Sequence, residues 1–269
     1  MGGGMLSSIT SVIPGMGGSR ADRAVEAAQL GAKGLDLMDL ESQQRQDEIG
    51  QSVAVAITNK YPLSSDRALT DYVNLIGLTV ASVSPNPDIS YSFGVLDTPD
   101  VGAYSAPGGY VFITRGAIAM CQDESELAGV LAHEVAHVAL NHGIEAVKQA
   151  KRTDLAVSAA KTYNSNVAAF GNLVDTAADA ILVKGYSRAQ ESQADENAVK
   201  FLIAAGYDPN GLLRFLQRLQ AEIGAGGGMK QLMSTHPGTA ERVASVQHEI
   251  AGSNVTGVTL KERFAASVK

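Results

Sequence analysis

The stretch LAHEVAHVALNHG, residues 131 to 143, sets histidines and a glutamate inside an otherwise apolar run and constrains the fold more than any other segment. Burying a polar group without a partner costs roughly 2–7 kcal/mol by transfer estimates, so the fold must give these side chains something to bind. Asp123, with Glu126 three residues on, reads as a helix start and Gly143 as a stop, which predicts one helix over 124–142. His133 and His137 are four residues apart. At 3.6 residues per turn both fall on one face, one turn apart, where they can hold the same metal ion. Leu127, Val130, Leu131, Val135, Val138 and Leu140 surround this helix with apolar groups and predict burial nearly all round.

Glu134 completes the H-E-x-x-H pattern, in which zinc takes the two histidines and the glutamate acts as general base. A catalytic zinc needs three protein ligands and one open position. The metzincin extension fails to supply the third, because Leu140 and Gly143 stand where that pattern has glycine and histidine. His142, nine residues after His133, is predicted to point away from the metal as a surface or outer-layer residue. A carboxylate from another helix remains. In GYSRAQESQADENAVKFLIAAGYDP, from Gly185, Ser187 with Gln190 reads as a capping box, and Glu191 and Asp195 then share a face at i and i+4. Glu191 could ligate zinc, and Asp195 could accept the second ring proton of a ligand histidine. Open alternatives are a solvated acidic face for this pair, and for the histidines either bonds to core carbonyls or a zinc held only for stability.

The rest of the chain bounds the setting. At 269 residues and 45% hydrophobic content, it suits one sizeable core or one core with a helical appendage. A formal charge of -7, with no basic patch, opposes a nucleic-acid binder. The single cysteine, Cys121, excludes an intrachain disulfide and a cysteine-built zinc site. No uninterrupted apolar stretch reaches about 18 residues, since the run from Val167 to Val183 carries Asp175 and Asp179; no membrane span is expected. Residues 1–19 lack a charged region ahead of an apolar one and read as a flexible leader, followed by a single domain over 20–269. Helical patterning covers Arg20 to Lys60, with Gly31, Gly34 and Gly50 as expected interruptions, and Asp66 to Val83. Ile89 to Leu96 and Tyr110 to Thr114 are β-branched and aromatic, with Pro107-Gly108-Gly109 as turn chemistry, and predict a small antiparallel sheet. From Asp123 the pattern is helical almost to the end, broken by the glycine run at 224–228 and by Pro237-Gly238. The fold class expected is α+β and mostly helical.

HEVAH, GYSRAQESQAD and THPGTAER, in this order and preceded by AYSAPGGYVFITRGAI, resemble the zinc metalloprotease family of HtpX and the CAAX prenyl protease, in its soluble bacterial envelope branch. The resemblance covers about residues 45 to 250. It implies a zincin-like, gluzincin-type fold with the small sheet beside the active-site helix. It implies one Zn2+ per chain held by His133, His137 and Glu191, with Glu134 as base and Asp195 as the supporting carboxylate. It further implies a polypeptide substrate, unfolded or misassembled or an outer-membrane protein, and a place in the periplasm or cell envelope.

Thr235-His236-Pro237 and Arg242 resemble the family's histidine-proline and arginine motif. His236 or Arg242 would stabilise the oxyanion as a catalytic group, or His236 would occupy the metal's open position and inhibit; an ordinary capped turn is the alternative. By analogy with zincins, Tyr110 to Thr114 is the strand that pairs with an extended substrate, or else a core strand. Residues 138–190 could cover the cleft as a lid. Gly102 departs from the asparagine common in the family, and the carboxy-terminal repeats of larger members are not expected after Lys269. The rival reading is a zinc-stabilised holdase or binding protein; a zinc hydrolase of a non-peptide bond is a weaker third. Oligomeric state is not legible.

Overall fold

The computed structural model describes residues 42–158, 177–224, 235–253 and 255–268. Helix α1 (Gln43–Lys60) starts where the Ser42 hydroxyl accepts from the Arg45 N–H, and α2 (Arg67–Ala81) where the Asp66 carboxylate accepts from the Leu69 N–H. Each bond satisfies a donor that a helix start leaves free. The expected break at Gly50 does not occur. A Cβ there would stand 1.8 Å from the Pro107 carbonyl oxygen, so this glycine lets α1 approach a neighbouring turn instead of interrupting the helix. Gly31, Gly34 and the leader lie outside the described residues.

Three strands follow, β1 (Ser92–Leu96), β2 (Ala103–Ala106) and β3 (Tyr110–Thr114), in the order β1-β3-β2. β2 and β3 form an antiparallel hairpin, turned by Gly108 and Gly109 at φ 77° and 96°. β1 runs parallel to β3, with Ser92 opposite Tyr110. The sheet is therefore mixed, not purely antiparallel. Its sequence pattern exposed β1 and β3 but hid β2, because AYSA has no β-branched residue; the hidden strand takes the antiparallel place. With both edges filled, β3 cannot be the strand that pairs with a substrate. The Asn74 side chain of α2 covers the outer edge of β1, donating to the Phe93 carbonyl at 2.7 Å and accepting from the Phe93 N–H at 3.2 Å. Among the described residues no strand takes the outer edge of β2.

Alternate residues of β3 feed two cores, as a pleated strand requires. Tyr110 and Phe112 pack with Ile49, Val53 and Ile57 of α1. Val111 and Ile113 face the larger core with Val73 and Ile76 of α2. After α3 (Arg115–Met120), helix α4 (Glu124–Ala139) runs through that larger core with every residue buried, as its apolar pattern predicts. It ends before the predicted stop. Asn141 sits at φ 57°, a left-handed conformation that asparagine tolerates better than most residues, and α5 (His142–Ser158) then starts in a new direction.

Residues 159–176 lie outside the described residues, and with them the middle of the segment 138–190 expected to form a lid. Beyond it, Ala177, Ile181 and Leu182 are buried in the smaller core, the latter two in a π-helical turn, Ala180–Lys184. Helices α6 (Arg188–Ala204), α7 (Asn210–Gly224), α8 (Thr239–Ala251) and α9 (Lys261–Ser267) complete the order. Most of the glycine run at 224–228 is likewise not described. Among the described residues no helix is long and apolar enough to cross a membrane.

Candidate active site

Asp123 starts α4 by accepting from the Glu126 N–H at 3.0 Å, and Arg214 and Arg218 of α7 pair with Asp123 and Glu126 there. Further along the same helix, His133 and His137 present their Nε2 atoms 3.0 Å apart. The predicted capping box of Ser187 and Gln190 starts α6 and delivers Glu191 to both rings. Its Oε2 lies 3.5 Å from His133 Nε2 and its Oε1 3.4 Å from His137 Nε2. His236, just ahead of α8, comes in from a third direction, with Nδ1 3.0 Å from Glu191 Oε1 and 3.4 Å from His133 Nε2. Ligand atoms of all four side chains lie within 4.8 Å of one another.

The outer nitrogens of the paired rings are also engaged. Asp195 Oδ1 stands 2.9 Å from His133 Nδ1, as the i, i+4 spacing with Glu191 predicts. Arg242 clamps Asp195 through Nε and Nη2 at 2.8 and 2.7 Å, and its Nη1 lies 2.9 Å from Glu191 Oε2. His142 does not point away from the site. The turn at Asn141 brings it back, so that its Nδ1 is 2.9 Å from His137 Nδ1 and its Nε2 is 3.2 Å from Gln193 Oε1. Sequence reasoning missed Gln193 altogether, and also Tyr186, whose ring stacks on His137 at 3.8 Å between centroids. The Tyr186 N–H donates to the Thr235 carbonyl at 3.1 Å, which ties the segment carrying His236 to the start of α6. An aromatic directly ahead of the capping serine was the available signal for Tyr186.

Burial shapes the charges. It works against the Glu191 carboxylate, but His236, Arg242 and the two helix-borne histidines outweigh it and hold its pKa far below the carboxylate range. Burial likewise opposes the Asp195 charge, yet Arg242 and His133 bring that group down to about 2. His133 is pushed down by burial and by Arg242, but Asp195 and Glu191 carry it the other way, up to about 9. His137 and His142 are both driven below the ordinary histidine value by burial, which favours the neutral ring that ligates metal.

Glu134 is buried, with one oxygen, Oε1, 3.6 Å from His236 Nε2 and the other, Oε2, without a hydrogen-bond partner. A buried carboxylate oxygen left unpaired beside converging imidazoles suits a polar ligand between them. The nitrogen and oxygen donors are those zinc takes, at about 2.0–2.2 Å, so His133, His137, Glu191 and His236 could hold such an ion. Together with a mixed sheet laid beside the histidine helix, this donor set gives the molecule a zincin-like fold and site.

The chain belongs to Peptidase family M48, whose model matches residues 68–250. It is 28% identical over 193 residues to the mitochondrial metalloendopeptidase OMA1 of Schizosaccharomyces pombe, covering 72% of this chain and 56% of that protein. It is 23% identical over 211 residues to the β-barrel assembly-enhancing protease of Escherichia coli, covering 75% and 43%. With the metalloprotease YcaL of Escherichia coli it shares 33% identity over 163 residues, or 60% of this chain and 62% of that one. The chain spans about half the length of the first two relatives.

Proposed function

We propose that this chain is a zinc-dependent endopeptidase that hydrolyses peptide bonds of unfolded or misassembled proteins in bacterial envelope quality control, with residues 20–269 acting as one peptidase domain. The observation that carries the reading is the convergence of His133, His137 and Glu191 around one point, with Glu134 beside it and its Oε2 unpaired. One Zn2+ per chain, which His133, His137 and Glu191 would hold, would supply Lewis acidity and make a nearby water acidic enough to ionise near neutral pH. Glu134 takes the proton of the attacking water and returns it to the leaving amine. Asp195 holds His133 by its outer nitrogen, and Arg242 holds Asp195 and Glu191 in turn. That engagement supports a positioning role for Arg242 over direct contact with an oxyanion. An extended substrate would pair with β2, whose outer edge no other strand takes among the described residues. The relative named for β-barrel assembly supports outer-membrane proteins as substrates and the periplasm as location.

A second reading rests on His236. Its Nδ1 lies among the ligand atoms, which favours a fourth ligand that closes the open position and leaves a latent enzyme or, if permanent, a zinc-stabilised holdase. Incubating zinc-loaded protein with unfolded casein, with and without a chelator, separates the readings. Fragments that vanish with the chelator are expected; intact casein kept from aggregating, with no fragments, would replace the peptidase by the holdase.

A further inference from the structure

Away from the metal-ligating cluster, between α3 and the end of α7, lies a partly open groove of about 870 Å³. None of the side chains that converge on the metal position lines it. Part of its wall is the loop after β1, locked to the start of α3: the Gly116 N–H donates to the Thr98 carbonyl at 3.1 Å, and a Cβ on Gly116 would stand 2.1 Å from the Pro99 carbonyl oxygen. Leu69 of α2, Ile118 and Met120 of α3, and Val268 after α9 give the groove apolar surface. Arg218, on the α7 side, is spent on Glu126 and on the Met120 carbonyl. Arg115 is less committed. It donates to Ser64 Oγ at 3.2 Å, and its nearest carboxylate oxygens, on Asp66 and Asp97, stand at 3.7 and 3.8 Å, so N–H donors of its five-donor guanidinium remain for a ligand.

The same three segments of chain border the space beside the general base. Val101, Ala103, Ala117 and Leu219 face the space that His133 and Glu134 line, while their near neighbours in sequence, Pro99, Gly116, Ile118 and Arg218, face the groove. A polypeptide paired with β2 therefore meets the groove when it runs on past Ala103. Antiparallel pairing, the more stable arrangement per residue, sends the carboxyl side of the substrate that way, because β2 runs from Ala103 to Ala106.

We propose that the groove is an exosite that holds the polypeptide substrate on the carboxyl side of the cut, taking apolar side chains against α2 and α3 while Arg115 donates to backbone carbonyls. The inference rests on the peptidase reading and its β2 pairing, and adds where a long chain is held and which residues it favours there. Pro99 is four positions from Ala103, and an extended chain advances about 3.3 Å per residue, so the contact falls roughly three to six residues after the scissile bond. Asp97 and Glu222 at the rim are exposed and outnumber Arg115, so acidic substrate residues are repelled there.

The test uses the zinc-loaded full chain and one peptide, taken from a mapped casein cut and made with about two or about eight residues after the scissile bond, the longer one reaching the groove. With leucine in that distal stretch, the longer peptide should be cleaved with kcat/KM about tenfold higher, the value of burying one aliphatic side chain. Exchanging the leucine for aspartate should remove the gain. Ala119→Trp and Gln122→Trp, at exposed positions of the wall, should each bring the long peptide down to the rate of the short one and leave cleavage of the short one unchanged; two variants keep the test decisive if one folds poorly. Equal rates for the two lengths, a gain that survives both variants or the aspartate, or a gain that either variant removes from residues added on the amino side instead, overturns the exosite and leaves the peptidase standing. A chain that cuts no peptide overturns both.

Discussion

His142 hands its Nδ1 to His137 Nδ1 at 2.9 Å while its own Nε2 faces Gln193 Oε1 at 3.2 Å. The amide oxygen can only accept, so His142 Nε2 carries the proton, His142 Nδ1 is the acceptor, and His137 donates from Nδ1. The result leaves a lone pair on His137 Nε2, the atom aimed at His133 Nε2 and Glu191. A neutral histidine and an amide thus do for His137 what the Asp195 carboxylate does for His133. Removing such an outer partner typically costs 10–100-fold in metal affinity. His142→Ala should therefore weaken zinc binding by about that factor in competition with a chromophoric chelator, with the fold intact by circular dichroism. Wild-type affinity would show that the hydrogen bond does not orient the ligand.

The proposed peptidase uses Glu134 as a base and not as a ligand. Glu134→Gln keeps the side-chain shape but cannot accept a proton, and general-base catalysis is worth about 10²–10⁴ in rate. The variant should retain full zinc content by elemental analysis and lose at least about 100-fold of its casein cleavage. A variant that cuts as fast as the wild type would move the base to another residue.

Much of this site was written in local spacing, which is why it could be read. The i, i+4 pairs His133/His137 and Glu191/Asp195 each lie on one uninterrupted helix, where periodicity fixes the facing direction. The cap residues Asp123 and Ser187 announced both helix starts. Readings failed where the chain turns. Extending the helix past Leu140 sent His142 outward, whereas one left-handed residue, Asn141, returned it to His137. Strand β2 was invisible because its alanines and serine suit a buried strand packed against α4 and carry little strand propensity. Gly50 looked like a helix breaker because its neighbour, the Pro107 carbonyl, is distant in sequence.

His236 stands at a decision point between catalysis and gating. Its Nδ1 is 3.0 Å from Glu191 Oε1 and 3.4 Å from His133 Nε2, which is ligand territory and not the distance of a donor waiting across a substrate. His236→Ala should open the fourth position and raise turnover of unfolded casein at saturating zinc, with more fragments per unit time. A drop in turnover would make His236 a transition-state donor, worth about 10²–10³ in rate by analogy with oxyanion-hole donors. Unchanged turnover would remove it from both roles.

Acid should loosen the carboxy-terminal mooring of the fold. Glu124, the first residue of α4, accepts from the hydroxyls of Tyr72 and Tyr207, each at 2.7 Å, and pairs with Arg263 of α9. Its N–H also donates to the Thr259 carbonyl at 3.0 Å. Burial raises the pKa of this carboxyl, but the bonds from Arg263, Tyr207 and Tyr72 outweigh it, and the net shift is downward. A depressed folded pKa means that the stabilisation is complete above the unfolded value, about 4.3, and is lost as pH falls through the folded value. Glu124→Gln should thus cost about 1.5–3 kcal/mol near pH 7, toward the lower end because Arg263 is half-exposed to solvent. The difference from wild type should narrow below about pH 4.3. Urea unfolding of both proteins at matched zinc content across pH 3.5–7 measures it, and a gap that stays constant through that range would mean that Glu124 is not held ionised by these partners.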